Sequence, residues 1–143
     1  MSRDQTAESR EVIEDMYGAI QRGDWESVLT FWDPDITWYE TDPLPYSGTY
    51  RGLEEATPLL NTIAGLFDGE SLKVDFVLAE GENVVAFCRV NFVDSGEEMM
   101  LSEHWKVRNG KATECRPFYW DPVKVDEAAA KRAADRGVLS AKL

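Results

Sequence analysis

Apolar residues recur along this chain with two periods, first helical and then alternating. In the stretch from about 6 to 23, Ile13, Met16, Tyr17 and Ile20 keep the i, i+3, i+4, i+7 spacing of one buried helical stripe. Gly23 is placed to stop that helix. Asp24 then caps a second helix, in which Trp25, Val28, Leu29 and Trp32 repeat the spacing. The run Asp33-Pro34-Asp35 ends it, because proline disfavours helix in the residue before it. Residues 36–42 read as a short strand, and Pro43, Pro45 and Ser47-Gly48 as a loop. A third helix is expected over 53–67 with Ala56, Leu60, Ile63 and Phe67 inward. Pro58 requires that helix to begin near Thr57 or to hold the proline in its first turn.

Beyond residue 70 the period becomes two. Strands are expected over 71–79, 84–93, 98–108 and 111–120, and a last Ala-rich helix over 123–136 ends at Gly137. Asn109-Gly110 joins the last two strands and is a strong type I′ hairpin signal, because both central residues of that turn need positive φ. On the strand before the turn, Leu101, Glu103, Trp105 and Val107 share a face; on the strand after it, Thr113, Cys115, Pro117 and Tyr119 do. Glu103 is out of place among apolar neighbours, where an unpaired carboxylate is costly to bury. That face therefore lines a polar cavity, or Glu103 lies at an open rim. Helices followed by an antiparallel meander make an α+β fold, helices packed on one side of the sheet. The final helix has a thin apolar stripe and is expected to cover an opening or a partner.

Composition narrows the function classes. With 143 residues, 43% hydrophobic and 11% aromatic, the chain supports one folded domain, its core about 6–121 with a helical extension about 123–137. A net charge of −12 argues against nucleic acid and anionic membrane as partners. Cys88 and Cys115 both fall in apolar strands, which fits reduced core thiols in a cytoplasmic protein. His104 is the single histidine and no CxxC spacing occurs, so neither a metal nor a cofactor is expected. No serine has a partnered histidine, so acyl-enzyme chemistry is not expected either.

The helix pair joined by Arg22-Gly23-Asp24-Trp25, and Arg108-Asn109-Gly110-Lys111 before a strand ending in Tyr119-Trp120-Asp121, resemble the SnoaL-like branch of the nuclear-transport-factor-2-like superfamily. That resemblance implies a curved mixed sheet wrapped by three N-terminal helices into a cone, with an apolar pocket and dimerisation through the sheet. It also implies a range of roles, from ketosteroid isomerase and polyketide cyclase to scytalone dehydratase, limonene-epoxide hydrolase and proteins without chemistry. Aligned with the isomerases, Glu40 and Glu103 stand at their two carboxyl positions, and Met16 replaces their pocket tyrosine. Pro43-Leu44-Pro45 and Arg89-Val90-Asn91 are similar to segments of limonene-epoxide hydrolase. Against that enzyme, Asn91 and Pro117 replace its two aspartates, Trp38 its tyrosine and Glu40 its asparagine.

These readings give a candidate site. Glu40 is the expected general base, Arg89 and Asn91 position it or bind an oxyanion, and Glu103 and Tyr119 act as acid or donors. The plain alternative is a structural ion pair between Glu40 and Arg89. Met16, Tyr17, Trp38, Trp105, Cys115, Pro117 and Tyr119 are the expected pocket walls, although core packing explains the aromatics equally well. The expected activity is cofactor-independent isomerisation, dehydration or cyclisation of a small apolar or amphipathic molecule. Epoxide hydrolysis and a non-catalytic binding or dimerisation module are the alternatives. His104 belongs to the opposite face with Lys106 and Arg108.

Overall fold

In the computed structural model, which describes residues 3–135, helix α1 (Arg3–Gln21) buries Ile13, Met16 and Tyr17. It closes on a left-handed Gly23 (φ 70°). The Gly23 N–H reaches the Ile20 carbonyl and the Asp24 N–H the Ala19 carbonyl, a double bond pattern that satisfies the last turn. Asp24 accepts from the Ser27 N–H at 3.2 Å and so starts α2 (Trp25–Thr30) one residue later. The second helix is shorter than its apolar spacing suggested. Trp32 opens strand β1 (Trp32–Glu40) instead of closing the helix.

Strand β2 (Gly48–Arg51) occupies part of the expected loop and pairs antiparallel with β1, from Glu40 opposite Gly48 to Thr37 opposite Arg51. Helix α3 (Gly52–Leu66) follows directly, with Ala56, Leu59, Leu60 and Leu66 buried. Pro58 sits inside it, not in its first turn. The backbone acceptor that proline leaves without a donor belongs to exposed Glu54, where water can take its place.

Strands β3 (Phe67–Glu80), β4 (Asn83–Phe92), β5 (Glu98–Arg108) and β6 (Lys111–Tyr119) form the meander, and β6 returns parallel to β1. The sheet order is β2-β1-β6-β5-β4-β3. Asn109 (φ 54°) and Gly110 (φ 73°) both take the left-handed conformation that the β5–β6 turn demands. Three of the strand pairings carry register shifts: β3 against β4 between Asp68 and Lys73 and again between Val74 and Phe76, β1 against β6 between Trp32 and Thr37, and β5 against β6 at Lys106/Val107. Each extra residue bends its strand, which is how a flat ribbon becomes a concave wall. Thr113 is the residue added at the last shift, so Ala112 and Cys115 both turn inward.

Helix α4 (Pro122–Asp135) buries Val125 and is tied by Arg132 to Asp94 at 2.8 Å. The expected stop at Gly137 lies outside the described residues.

Candidate active site

Alternation along β5 points Leu101, Glu103, Trp105 and Val107 into the concave face, with Glu103 between Ala86 of β4 and Pro117 of β6. There Glu103 borders an apolar cavity of about 80 Å³. Tyr17, Trp38, Trp105 and Tyr119 also line it. Glu103 has protein on every side yet keeps accessible surface, because that surface faces the cavity.

Hydrogen-bond direction around Glu103 follows from donor chemistry. An indole N–H only donates, so Trp105 Nε1 gives its proton to the Tyr17 hydroxyl oxygen at 2.8 Å. The single Tyr17 proton is then committed to Oε1 of Glu103 at 2.7 Å. Among the described residues Tyr17 is the one side chain with hydrogen-bond geometry to the Glu103 carboxyl, through Oε1, and no buried side-chain oxygen or nitrogen there lacks a partner. Oε2 therefore opens to the cavity. Burial pushes the Glu103 carboxyl above its ordinary range, opposed by the Tyr17 hydrogen bond and by the nearby Trp105 indole N–H. The Tyr17 hydroxyl is itself raised by burial and by the Glu103 charge.

A second carboxyl lies behind this one. Glu40, 6% exposed, accepts from Trp38 Nε1 at 2.5 Å through Oε2 and from the Tyr119 hydroxyl at 3.2 Å through Oε1. Tyr119 also meets the Tyr46 hydroxyl at 3.3 Å, and Tyr50 donates to the Tyr46 carbonyl. Burial raises Glu40 to about 8, against the lowering from Trp38, and the Glu103 charge adds to the rise. Glu40 does not border the cavity. It borders a groove of about 350 Å³ on the far side of Tyr119, with Arg116 and Pro117.

Several expected site residues lie elsewhere. Arg89 and Asn91 point to the outer face of β4, since Cys88, Val90 and Phe92 take the inner one. Arg89 forms a forked pair with Asp75 (2.7 and 3.0 Å) and approaches Glu98 at 3.6 Å, far from any role at Glu40. Neither the Glu40–Arg89 ion pair nor a water held between Glu40 and Asn91 is formed by this geometry. Met16 is fully buried and accepts from Trp32 Nε1 through sulfur, and Cys115 is buried between strands; neither lines the cavity. Pro117 belongs to the outer groove. His104 faces outward onto Asn83, and burial with Lys106 and Arg116 nearby lowers its pKa. Both cysteine thiols are raised by burial and are poor nucleophiles.

Trp32, Trp25 and Gly69 line the cavity although no sequence pattern marks them as site residues, and Tyr46 bonds Tyr119. Trp32 lines the cavity and packs on Trp38 with ring centres 5.2 Å apart, and Trp38 stands perpendicular to Trp105 at 5.3 Å. For Tyr46 a signal existed: Leu44 and Tyr46 are large apolar residues placed in a proline-rich loop, and both are buried.

A SnoaL-like domain profile matches residues 13–115. The chain belongs to the SnoaL-like family. Solved structures of similar fold include a protein of unknown function with a cystatin-like fold from Xanthomonas campestris, at 24% identity and TM-score 0.73, covering 85% of this chain and 95% of that one. An NTF2-like protein from Burkholderia thailandensis is 26% identical, with TM-score 0.71 and coverage of 84% and 95%. TerC, co-crystallised with polyporic acid, is 21% identical, with TM-score 0.71 and coverage of 86% and 98%. Among curated proteins, none matches the chain. Within this SnoaL-like domain no cluster of three or more His, Cys, Asp or Glu residues that could hold a metal occurs among the described residues, and no helix there is long and apolar enough to cross a membrane.

Proposed function

We propose that this SnoaL-like domain is a cofactor-independent acid–base catalyst, of isomerase, dehydratase or cyclase type, for a small and mostly apolar molecule. The substrate carries a carbonyl or hydroxyl group that meets Glu103. The observation that supports this reading is the free Oε2 of Glu103 at an apolar wall, with Oε1 already held by Tyr17. A carboxyl raised by burial holds its proton more tightly than an ordinary one and is a stronger base once ionised, which suits it to proton transfer at carbon. Because Tyr17 donates to Oε1, the transferable proton resides on Oε2, the atom a guest reaches. Glu40 and Glu103 resist ionising together, so the pair retains a proton over the neutral range. Glu40 acts in this reading through Tyr119, whose ring forms part of the cavity wall.

The test follows proton exchange at the α-carbon of cyclohex-2-enone in D2O by NMR. Catalysed exchange that Glu103→Gln abolishes, and Arg89→Ala leaves intact, supports the reading. Equal exchange by wild type and Glu103→Gln, or none above buffer, overturns it for enolisable ketones. A binding module without turnover is favoured by one observation, that only one of the two carboxyls touches the cavity. It would show guest binding that survives Glu103→Gln, and no exchange.

We infer as well that a second copy of this chain covers the outer face of the sheet. Phe76 stacks on Phe87 at 4.4 Å, and Phe76, Met100 and Phe118 are about half exposed. The same face carries Lys73, Arg89 and Arg116 together with Asp75 and Glu98, both signs of charge, as a self-complementary contact requires.

A further inference from the structure

Most of the cavity's partly exposed walls gather on one side, Leu101, Glu103 and Tyr119 on β5 and β6 being the others. Ile20, Trp25, Ile63, Ala64, Gly69 and Leu72 are half-buried, and they come from the end of α1, the start of α2, the end of α3 and the start of β3. The deep walls Tyr17, Trp32, Trp38 and Trp105 are buried. A mouth therefore lies between the α1–α2 corner and the first residues of β3.

Backbone pairing is weakest at the same place. Between Asp68 and Lys73, β3 has three more residues than β4 opposite, so the ladder is interrupted. Side-chain bonds hold the bulge instead: Asp68 accepts from the Glu70 N–H, Ser71 donates to the Asp68 carbonyl, and Ser71 accepts from the Asn91 N–H. Across the gap, the Gln21 amide donates to the Leu72 carbonyl at 3.0 Å.

Into this gap Trp25 lays its ring against bare backbone. A Cβ built on Gly69 would fall 2.9 Å from Cζ2 and 3.2 Å from Cη2 of Trp25, and 3.2 Å from Cγ2 of Ile20. Carbon atoms do not approach so closely, so only glycine lets the indole close down at this point. Gly69 has no positive φ to explain it. The close approach of the ring is the reason a glycine fits here.

We propose that Trp25, seated on Gly69, is the size-selecting wall of the cavity and sets the largest neutral guest that reaches Glu103. The side chain is anchored at only one end, at the first position of a six-residue helix. An indole swing there opens the mouth without moving the sheet or α3. This role does not depend on Glu103 doing chemistry, because it concerns access alone.

Quenching of tryptophan fluorescence by two neutral quenchers, acrylamide and the bulkier succinimide, tests it. Trp120, 77% exposed, is replaced by Phe throughout to remove its signal. Trp25→Ala should raise quenching of the remaining Trp32, Trp38 and Trp105 several-fold, more for succinimide than for acrylamide, and Trp25→Phe should give a smaller rise. Val125→Ala, a truncation on α4 away from the cavity lining, is the control for general loosening and should give none. Unchanged quenching in folded Trp25→Ala, or an equal rise in the control, overturns the proposal. If Trp25→Ala does not fold, Trp25→Phe alone decides, on the same criterion. The seat is tested separately by a double-mutant cycle on stability. Gly69→Ala should destabilise the wild type and cost much less beside Trp25→Ala, and additive effects would overturn the contact.

Discussion

The hydroxyl of Tyr17 on the first helix donates to Oε1 of Glu103, 86 residues later on the fifth strand, at 2.7 Å. One bond thus joins the N-terminal helix to the concave face of the sheet, and it also decides which oxygen of the carboxyl is free. Tyr17→Phe removes the donor while keeping the ring. Two groups then lose their partner, Oε1 of Glu103 and the Trp105 indole N–H. Leaving buried polar groups unpaired costs ~1–3 kcal/mol each, so for two groups a loss of about 2–6 kcal/mol is expected in denaturant melts. The same change raises the Glu103 pKa further, because a donor to its charged form has gone. A pH profile of catalysed exchange that moves upward in Tyr17→Phe checks this; an unmoved profile would separate Glu103 from the reaction.

Stability should fall as pH rises through the range in which Glu40 ionises. Glu40 is raised from its ordinary 4.5 to about 8 by burial. Between those values the folded state binds more protons than the unfolded chain, so stability declines with increasing pH and is greatest below 4.5. Glu103 acts in the same direction. Asp24, Asp75 and Glu82 are lowered by their hydrogen-bond partners and act oppositely, losing their contribution only as pH falls below the usual carboxylate range. Glu40→Gln should flatten the decline between pH 5 and 8, an effect on the order of a few kcal/mol. Thermal melts of both proteins across that range test it, and parallel curves would count against a buried, proton-holding Glu40.

Arg89→Ala should leave the cavity untouched. Its guanidinium is paired with exposed carboxylates on the outer face, where solvent screens the attraction. The expected outcome is an unchanged exchange rate. A large catalytic loss would mean that Arg89 reaches the cavity in some other arrangement of the strand.

What could be read from the chain was whatever local chemistry decides. Asn109-Gly110 declares its turn because few residue pairs tolerate two positive φ values in succession. Gly23-Asp24 marks the end of one helix and the cap of the next for similarly local reasons. Glu103 stood out as a carboxylate on an apolar face, and no bulge on β5 separates it from Trp105. On β4 the alternation itself was legible, but both faces of the strand carry large apolar residues, Val84 and Cys88 on one and Val85 and Phe87 on the other. Nothing local says which of the two is concave, which is why Arg89 lies on the side opposite to the expected one. The seat of Trp25 on Gly69 depends on a three-residue bulge, and the meeting of Tyr46 with Tyr119 spans 73 residues; no short-range pattern encodes either.

The outer face supplies the last prediction. Phe118 is 54% exposed on a central strand, opposite Ser102 and diagonal to Met100, in the row that ends at stacked Phe76 and Phe87. Apolar side chains clustered this way on a monomer mark a contact surface. If a second copy covers them, Phe118→Lys places a charge at the centre of the contact and should convert dimer to monomer in sedimentation velocity, with the fold kept by circular dichroism. Salt offers an independent reading. Each copy carries a net charge of −12, so bringing two together costs repulsion that added salt screens. The dimer should therefore tighten as ionic strength rises, whereas an association held mainly by Arg–Asp and Arg–Glu pairs across the contact would weaken. A wild-type chain that sediments as a monomer at low and high salt alike would remove the second copy from this face.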